Sequence, residues 1–221
     1  MEKMELITPN CDIVDIFNSF WTDEPKTTLV KLFKDDVEVD ISKYITQFKE
    51  YGSKDDDIIG QQGLLEYLNA INSVYHTRVS GIESIVKELE SQGIDSKLRL
   101  EETIKNGEMS LPTFVKYCQK VTGKYTYSFA SKVFSFVDEK NYPIIDSFVA
   151  TLLDTYEYEG KISKSKWGNY SQYINNYNAF RNHFGLTKKT YKDIDKFLWT
   201  YAKILSDYWS DLGVLSYEAV P

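Results

Sequence analysis

Lys132 and Asp146 are the two side chains in this sequence whose types and spacing could do chemistry. Lys132 stands in SFASKVFSFV, an apolar helical run. Asp146 stands in PIIDSFVATLL, directly after Pro-Ile-Ile and directly before a second apolar run. A lysine amine becomes a nucleophile when partial desolvation lowers its pKa. A carboxylate can stabilise a developing cation, or orient and deprotonate a water. Each residue also has a purely structural use. Lys132 can lay its stem on apolar surface and keep its ammonium in water. Asp146 can cap the helix that follows, where backbone N–H groups and the helix dipole both favour a carboxylate.

The elements that must position this pair are helical. Apolar residues recur at spacings of three and four through most of the chain, and alternation with a period of two is rare. GLLEYLNAINSVYH places Leu64, Leu65, Leu68, Ile71 and Val74 on one stripe that faces a core. SGIESIVKELESQG reads as a helix from a Ser80 cap to Gly93, and SLPTFVKYCQKVTG as one with Pro112 in its first turn and Gly123 at its end. On a wheel of about 100° per residue, Phe129, Ala130, Val133, Phe134, Phe136 and Val137 share one arc, Ser131 and Ser135 oppose it, and Lys132 falls on its rim. Pro143 disfavours the helical region at Tyr142 and so divides the two runs. WGNYSQYINNYNAFRNHFG and TYKDIDKFLWTYAKILSDYWSDLG continue the pattern, for about eight to ten helices in all. A short strand near VEVDI would be isolated, and EYGSKDDDIIG and EYEGKISKSKWG read as irregular linkers. Asn72, His76 and Arg78 are polar groups at the end of an apolar helix, and the sequence assigns them no role.

At 221 residues, with 42% hydrophobic and 27% charged side chains, the chain can bury a good core and has the balance of a water-soluble protein. No apolar run reaches about 18 residues, and MEKMELITPNCDIVDIF has no basic stretch followed by an apolar one, so neither a membrane span nor a signal peptide is expected. Cys11 and Cys118 are too few and too far apart for a disulfide framework or a cysteine metal cluster, which fits a reducing cytoplasm. Phosphate-cradling glycine loops, G-x-S-x-G elbows, H-E-x-x-H and dinucleotide fingerprints are missing, and the histidines are His76 and His183 alone. No metal and no cofactor is expected.

The net charge of −7 argues against a non-specific nucleic-acid binder, but the average hides a split. Residues 1–110 carry 12 basic and 22 acidic side chains, residues 111–203 carry 14 basic and 8 acidic, and the last 18 residues are net acidic. A polyanion could find a positive face on the second half. The local excess is greatest over 161–203, where nine basic residues interleave with aromatic ones, the composition of a nucleic-acid groove.

Order and spacing make the pair more informative than either member. In the helix-hairpin-helix (HhH-GPD) DNA glycosylase superfamily, a hairpin of the form L-P-G-x-G-x-K-x-A leads into a helix, then a loop, then a P-x-D-x-x-V segment with the catalytic aspartate. Ser128, Phe129, Ala130, Ser131 and Lys132 resemble the G-x-G-x-K portion, with Ser128 and Ala130 at the glycine positions, and PIIDSFV resembles the aspartate segment with Asp146. The matched stretch is roughly residues 110–155.

This resemblance implies an all-α, two-lobed fold with a cleft between the lobes. One lobe would be residues 25–140, ending in the hairpin, and the other residues 1–24 together with 141–221. It implies a DNA glycosylase-like enzyme that hydrolyses the N-glycosidic bond of a modified or damaged base in double-stranded DNA, phage DNA included. Asp146 would be catalytic, with Lys132 beside it. The interval between them is about one helical turn shorter than in the family, which favours plain hydrolysis over Schiff-base chemistry at Lys132. DNA contacts are expected at Ser128, Ala130, Ser131, Lys124, Lys164, Lys166 and Arg181, and a base pocket at Tyr125, Tyr127, Trp167 and Tyr170. A monomer is expected. The alternative is a non-catalytic helical module that binds DNA or a protein on the same scaffold.

Overall fold

The computed structural model describes residues 13–21, 29–31, 38–162 and 169–211. The chain is mostly helical, as its periodicity requires. In order, the elements are α1 (Ile13–Trp21), β1 (Leu29–Lys31), β2 (Glu38–Asp40), α2 (Ser42–Ile59), α3 (Leu64–Val74), α4 (Ile82–Ser91), α5 (Lys97–Lys105), α6 (Leu111–Thr122), α7 (Tyr127–Val137), α8 (Ser147–Thr155), α9 (Tyr170–His183) and α10 (Tyr191–Asp211). Among the described residues, no helix is long and apolar enough to cross a membrane.

Local chemistry sets most of the boundaries. The Ser110 hydroxyl accepts the Thr113 N–H at 3.3 Å, Pro112 fills the first turn of α6, and Gly123 closes it at φ 72°. Ser80, expected to cap α4, is displaced from that role by Gly81, which takes φ 76°. The chain enters α4 through the left-handed region, where a glycine meets no Cβ penalty. Two other expectations fail. The VEVDI strand is not isolated, because β2 pairs antiparallel with β1, Val30 opposite Val39. The charged run EYGSKDDDIIG is not a linker but the end of α2. The buried Ile41, Tyr44, Ile45 and Phe48 recur at helical spacing, and the run after them holds no proline to stop the helix.

α3, α5 and α6 pack around α7, and α4 lies on α3 and α6; α8 packs on α9 and α10, while α2 touches both α3 and α10. The apolar core is continuous. It is rich in aromatic edges: Phe197 meets Phe17 at 4.9 Å and stacks on Tyr201, and Phe134 meets Phe114 and Tyr142.

The enclosure of α7 overturns the expectation that Lys132 sits on a rim. Lys132 is 3% exposed, and Ser131 and Ser135, on the supposed open side, are buried as well. A helical wheel ranks residues by their own helix. It does not show that the buried segment Pro143–Ile145 folds back over the polar side of α7.

Candidate functional site

The segment that carries Asp146 is held by side chains from two helices. Ser131 Oγ accepts the Ile145 N–H at 2.9 Å, and Lys132 Nζ donates to the Ile145 carbonyl at 3.4 Å. From α9, the Tyr173 hydroxyl donates to the Ile144 carbonyl at 2.7 Å and the Tyr170 hydroxyl to the Pro143 carbonyl at 3.4 Å. Three successive buried carbonyls and one buried N–H therefore find partners without any secondary structure. At the end of this segment Asp146 turns into α8, and its Oδ1 accepts the Phe148 N–H at 2.8 Å. The aspartate is the helix cap its position suggests.

It is also more than a cap. Asp146 and Lys132 line one pocket of about 130 Å³ together with Val74, Tyr75, His76, Ile144 and Trp199. Asp146 is half-buried. Lys132 reaches the pocket from α7, where its ammonium donates to Ser128 Oγ at 2.9 Å and lies 5.7 Å from the centre of the Tyr75 ring. Burial pushes the Lys132 pKa below its ordinary value, and the negative charges of Asp146 and Asp195 oppose that shift. The arrangement offers a carboxylate and a desolvated amine on the same cavity, with flat rings at its wall.

The remaining wall is a loop of unusual backbone. After α3, His76 and Arg78 both take positive φ, 48° and 55°. The Asn72 side chain holds this turn: its Oδ1 accepts from Thr77 Oγ1 at 2.6 Å and from the Val79 N–H at 2.9 Å, and its Nδ2 donates to the Val79 carbonyl at 2.8 Å. Left-handed backbone at two non-glycine residues costs free energy, and such turns persist where surrounding bonds over-determine them. Here the turn sets His76 on the pocket.

Several residues expected at the site lie elsewhere. Tyr125, in the α6–α7 turn, stacks on Tyr127, the first residue of α7, and neither lines the pocket; Tyr170 is buried as a fastener of Pro143. Ala130 and Ser131, expected to meet DNA, are buried inside α7; the Ala130 N–H is spent on the Thr126 carbonyl at 2.9 Å. The turn falls at Gly123–Thr126, so these residues are helix rather than hairpin. Ser128, half-buried, receives the Lys132 ammonium. Arg181 donates to the carbonyls of Thr187 and Lys189, bracing the α9–α10 turn, and Lys124 is exposed beside Gly123. Lys164, Lys166 and Trp167 lie outside the described residues. Tyr75 was not singled out as a pocket residue by sequence, and Trp199 stood out only as one of the aromatic residues of 161–203. The sole hint for His76 was polar residues ending an apolar helix.

No protein-family model and no solved structure matches the chain. An uncharacterized protein of Haemophilus influenzae is 29% identical over 145 residues, which cover 63% of this chain and 66% of that protein. The match thus spans just under two thirds of the relative's length.

Proposed function

We propose that this chain is a monofunctional DNA glycosylase-like hydrolase on a two-lobed helix-hairpin-helix scaffold, which removes a modified or damaged base from double-stranded DNA. The observation that carries the reading is the meeting of Asp146 and Lys132 on one pocket walled by Tyr75, His76 and Trp199. The packing is in keeping with two lobes. α3 to α7 pack on one another and α8 packs on α9 and α10, while α2, which the expected division puts with the first group, packs on α3 and α10 alike; the pocket draws its wall from α3, α7 and α10.

Hydrolysis of an N-glycosidic bond leaves positive charge on the deoxyribose and negative charge on the departing base. A carboxylate on the sugar side stabilises the cation and orients the water whose oxygen bonds to C1′; the water's proton passes to the carboxylate. Asp146 has that role. The Phe148 N–H that it accepts at the head of α8 fixes where the carboxylate stands. Lys132 is an accessory. Its ammonium is engaged by Ser128 Oγ and the Ile145 carbonyl, a state unsuited to attack on C1′. The rings of Tyr75 and Trp199 give an extracted base the flat surfaces that offset its lost stacking. Modified bases in phage DNA are a substrate class within this reading.

The test is incubation of the protein with DNAs carrying different modified bases, with mass spectrometry of what is set free. A free base in at least one reaction, with no borohydride-trapped adduct at Lys132, supports the reading. No release from any of them contradicts it and favours a non-catalytic DNA-binding module.

A further inference from the structure

α10 is buried on nearly every side, through Ile194, Phe197, Leu198, Tyr201, Ile204 and Leu205. The stripe left open holds Lys192, Lys196, Trp199 and Lys203. These four fall within about 60° of one another on a wheel of 100° per residue. Their spacing of four, three and four residues keeps them in line over about 16 Å of helix. Trp199 lines the pocket, and along the helix Lys192 and Lys196 come before it and Lys203 after it.

Each of the three ammonium groups is seated over an aromatic ring from another element. Lys192 lies 4.9 Å from the centre of Phe136, Lys196 4.4 Å from Phe48, and Lys203 4.8 Å from Phe148. A ring face fixes where a cation sits without removing its charge. Asp193, Asp195 and Asp207 lie on the same helix. Asp193 accepts the Thr190 N–H, Asp195 is buried, and Asp207 accepts from the Tyr44 hydroxyl at 2.6 Å.

We infer that this stripe is the track for the sugar–phosphate backbone of the DNA strand that holds the target nucleotide. Lys192 and Lys196 take phosphates on one side of the pocket and Lys203 on the other, with Trp199 facing the nucleotide between them. The inference rests on the glycosylase reading for the identity of the strand. The match it uses is one of charge: a line of fixed cations, the pocket at its middle, against a line of evenly spaced anions.

The experiment uses the full chain and a short fluorescein-labelled duplex of unmodified DNA, with binding followed by anisotropy between roughly 50 and 200 mM salt. Replacing Lys192, Lys196 and Lys203 together by glutamine is expected to flatten the slope of log affinity against log salt by about 2 to 3. The corresponding triple arginine variant is expected to keep the wild-type slope. On the wild-type protein, acetylation of the three lysines is expected to fall when DNA is added, while the exposed Lys87 and Lys105 label as before. An unchanged slope in the glutamine variant, undiminished acetylation in the wild type, or no DNA binding at any salt overturns the track. Failure of the glycosylase reading is a separate result: it appears as a salt-dependent track on a protein that releases no base. Base release alongside an unchanged slope sinks the track alone.

Discussion

Lys132 donates to the carbonyl of Ile145 at 3.4 Å, the residue immediately before Asp146. The amine on α7 and the carboxylate at the head of α8 are therefore joined by one hydrogen bond and one peptide unit. Ser131, Tyr170 and Tyr173 fasten the same segment from neighbouring positions. The placement of Asp146 thus depends on buried side chains that do not line the pocket.

Ser131→Ala tests this fastening. It leaves the buried Ile145 N–H without its acceptor, at an expected cost of about 1 to 3 kcal/mol. Tyr173→Phe removes a donor to the Ile144 carbonyl, and an under-satisfied carbonyl is tolerated better than an orphaned N–H. Urea unfolding should rank Ser131→Ala as the more destabilising of the two. The opposite order would mean that α9, not α7, holds the segment.

The titration of Lys132 gives a second prediction. Burial lowers its pKa in the folded protein below the ordinary 10.5. Between the folded and unfolded values, the unfolded chain binds more protons, so this group's contribution to stability rises with pH up to about 10.5. Lys132→Met keeps the side-chain length and removes the titration. The stability of the wild type relative to Lys132→Met is expected to increase as pH rises through the alkaline range. Parallel pH profiles by urea unfolding would show that the amine is not held in a desolvated site.

The His76 turn supplies a third. Asn72→Ala deletes the three side-chain bonds that hold left-handed backbone at His76 and Arg78. Stability is expected to fall by about 1 to 3 kcal/mol, and amide exchange over residues 75–79 to accelerate. Slow exchange retained in the variant would mean that the turn stands without Asn72.

Much of the scaffold was legible because it depends on local chemistry. Pro112 and Gly123 bracket α6, the stripe of α3 faces the core, and Asp146 caps α8 as its junction position suggests. What could not be read was set by distant segments. Lys132 looked peripheral because its own helix has an apolar arc, but Pro143–Ile145 closes over the other side. Tyr170 and Tyr173 have the helical spacing of core residues, and nothing local tells that their hydroxyls meet the Pro143 and Ile144 carbonyls. His76 follows α3 and Trp199 lies in α10, far apart in the chain, so their meeting at one pocket is a product of packing alone.

Asp146→Asn tests the central claim most directly. Asparagine is as good a helix cap as aspartate, so α8 should form, with a loss of stability of about 1 kcal/mol as the charge at the helix start and beside Lys132 is removed. The charge that stabilises a sugar cation is lost. Single-turnover base release from a cleavable modified duplex is expected to slow by about 10² to 10³-fold, with DNA affinity unchanged. Release at the wild-type rate would contradict the account, leaving Asp146 a helix cap and no more.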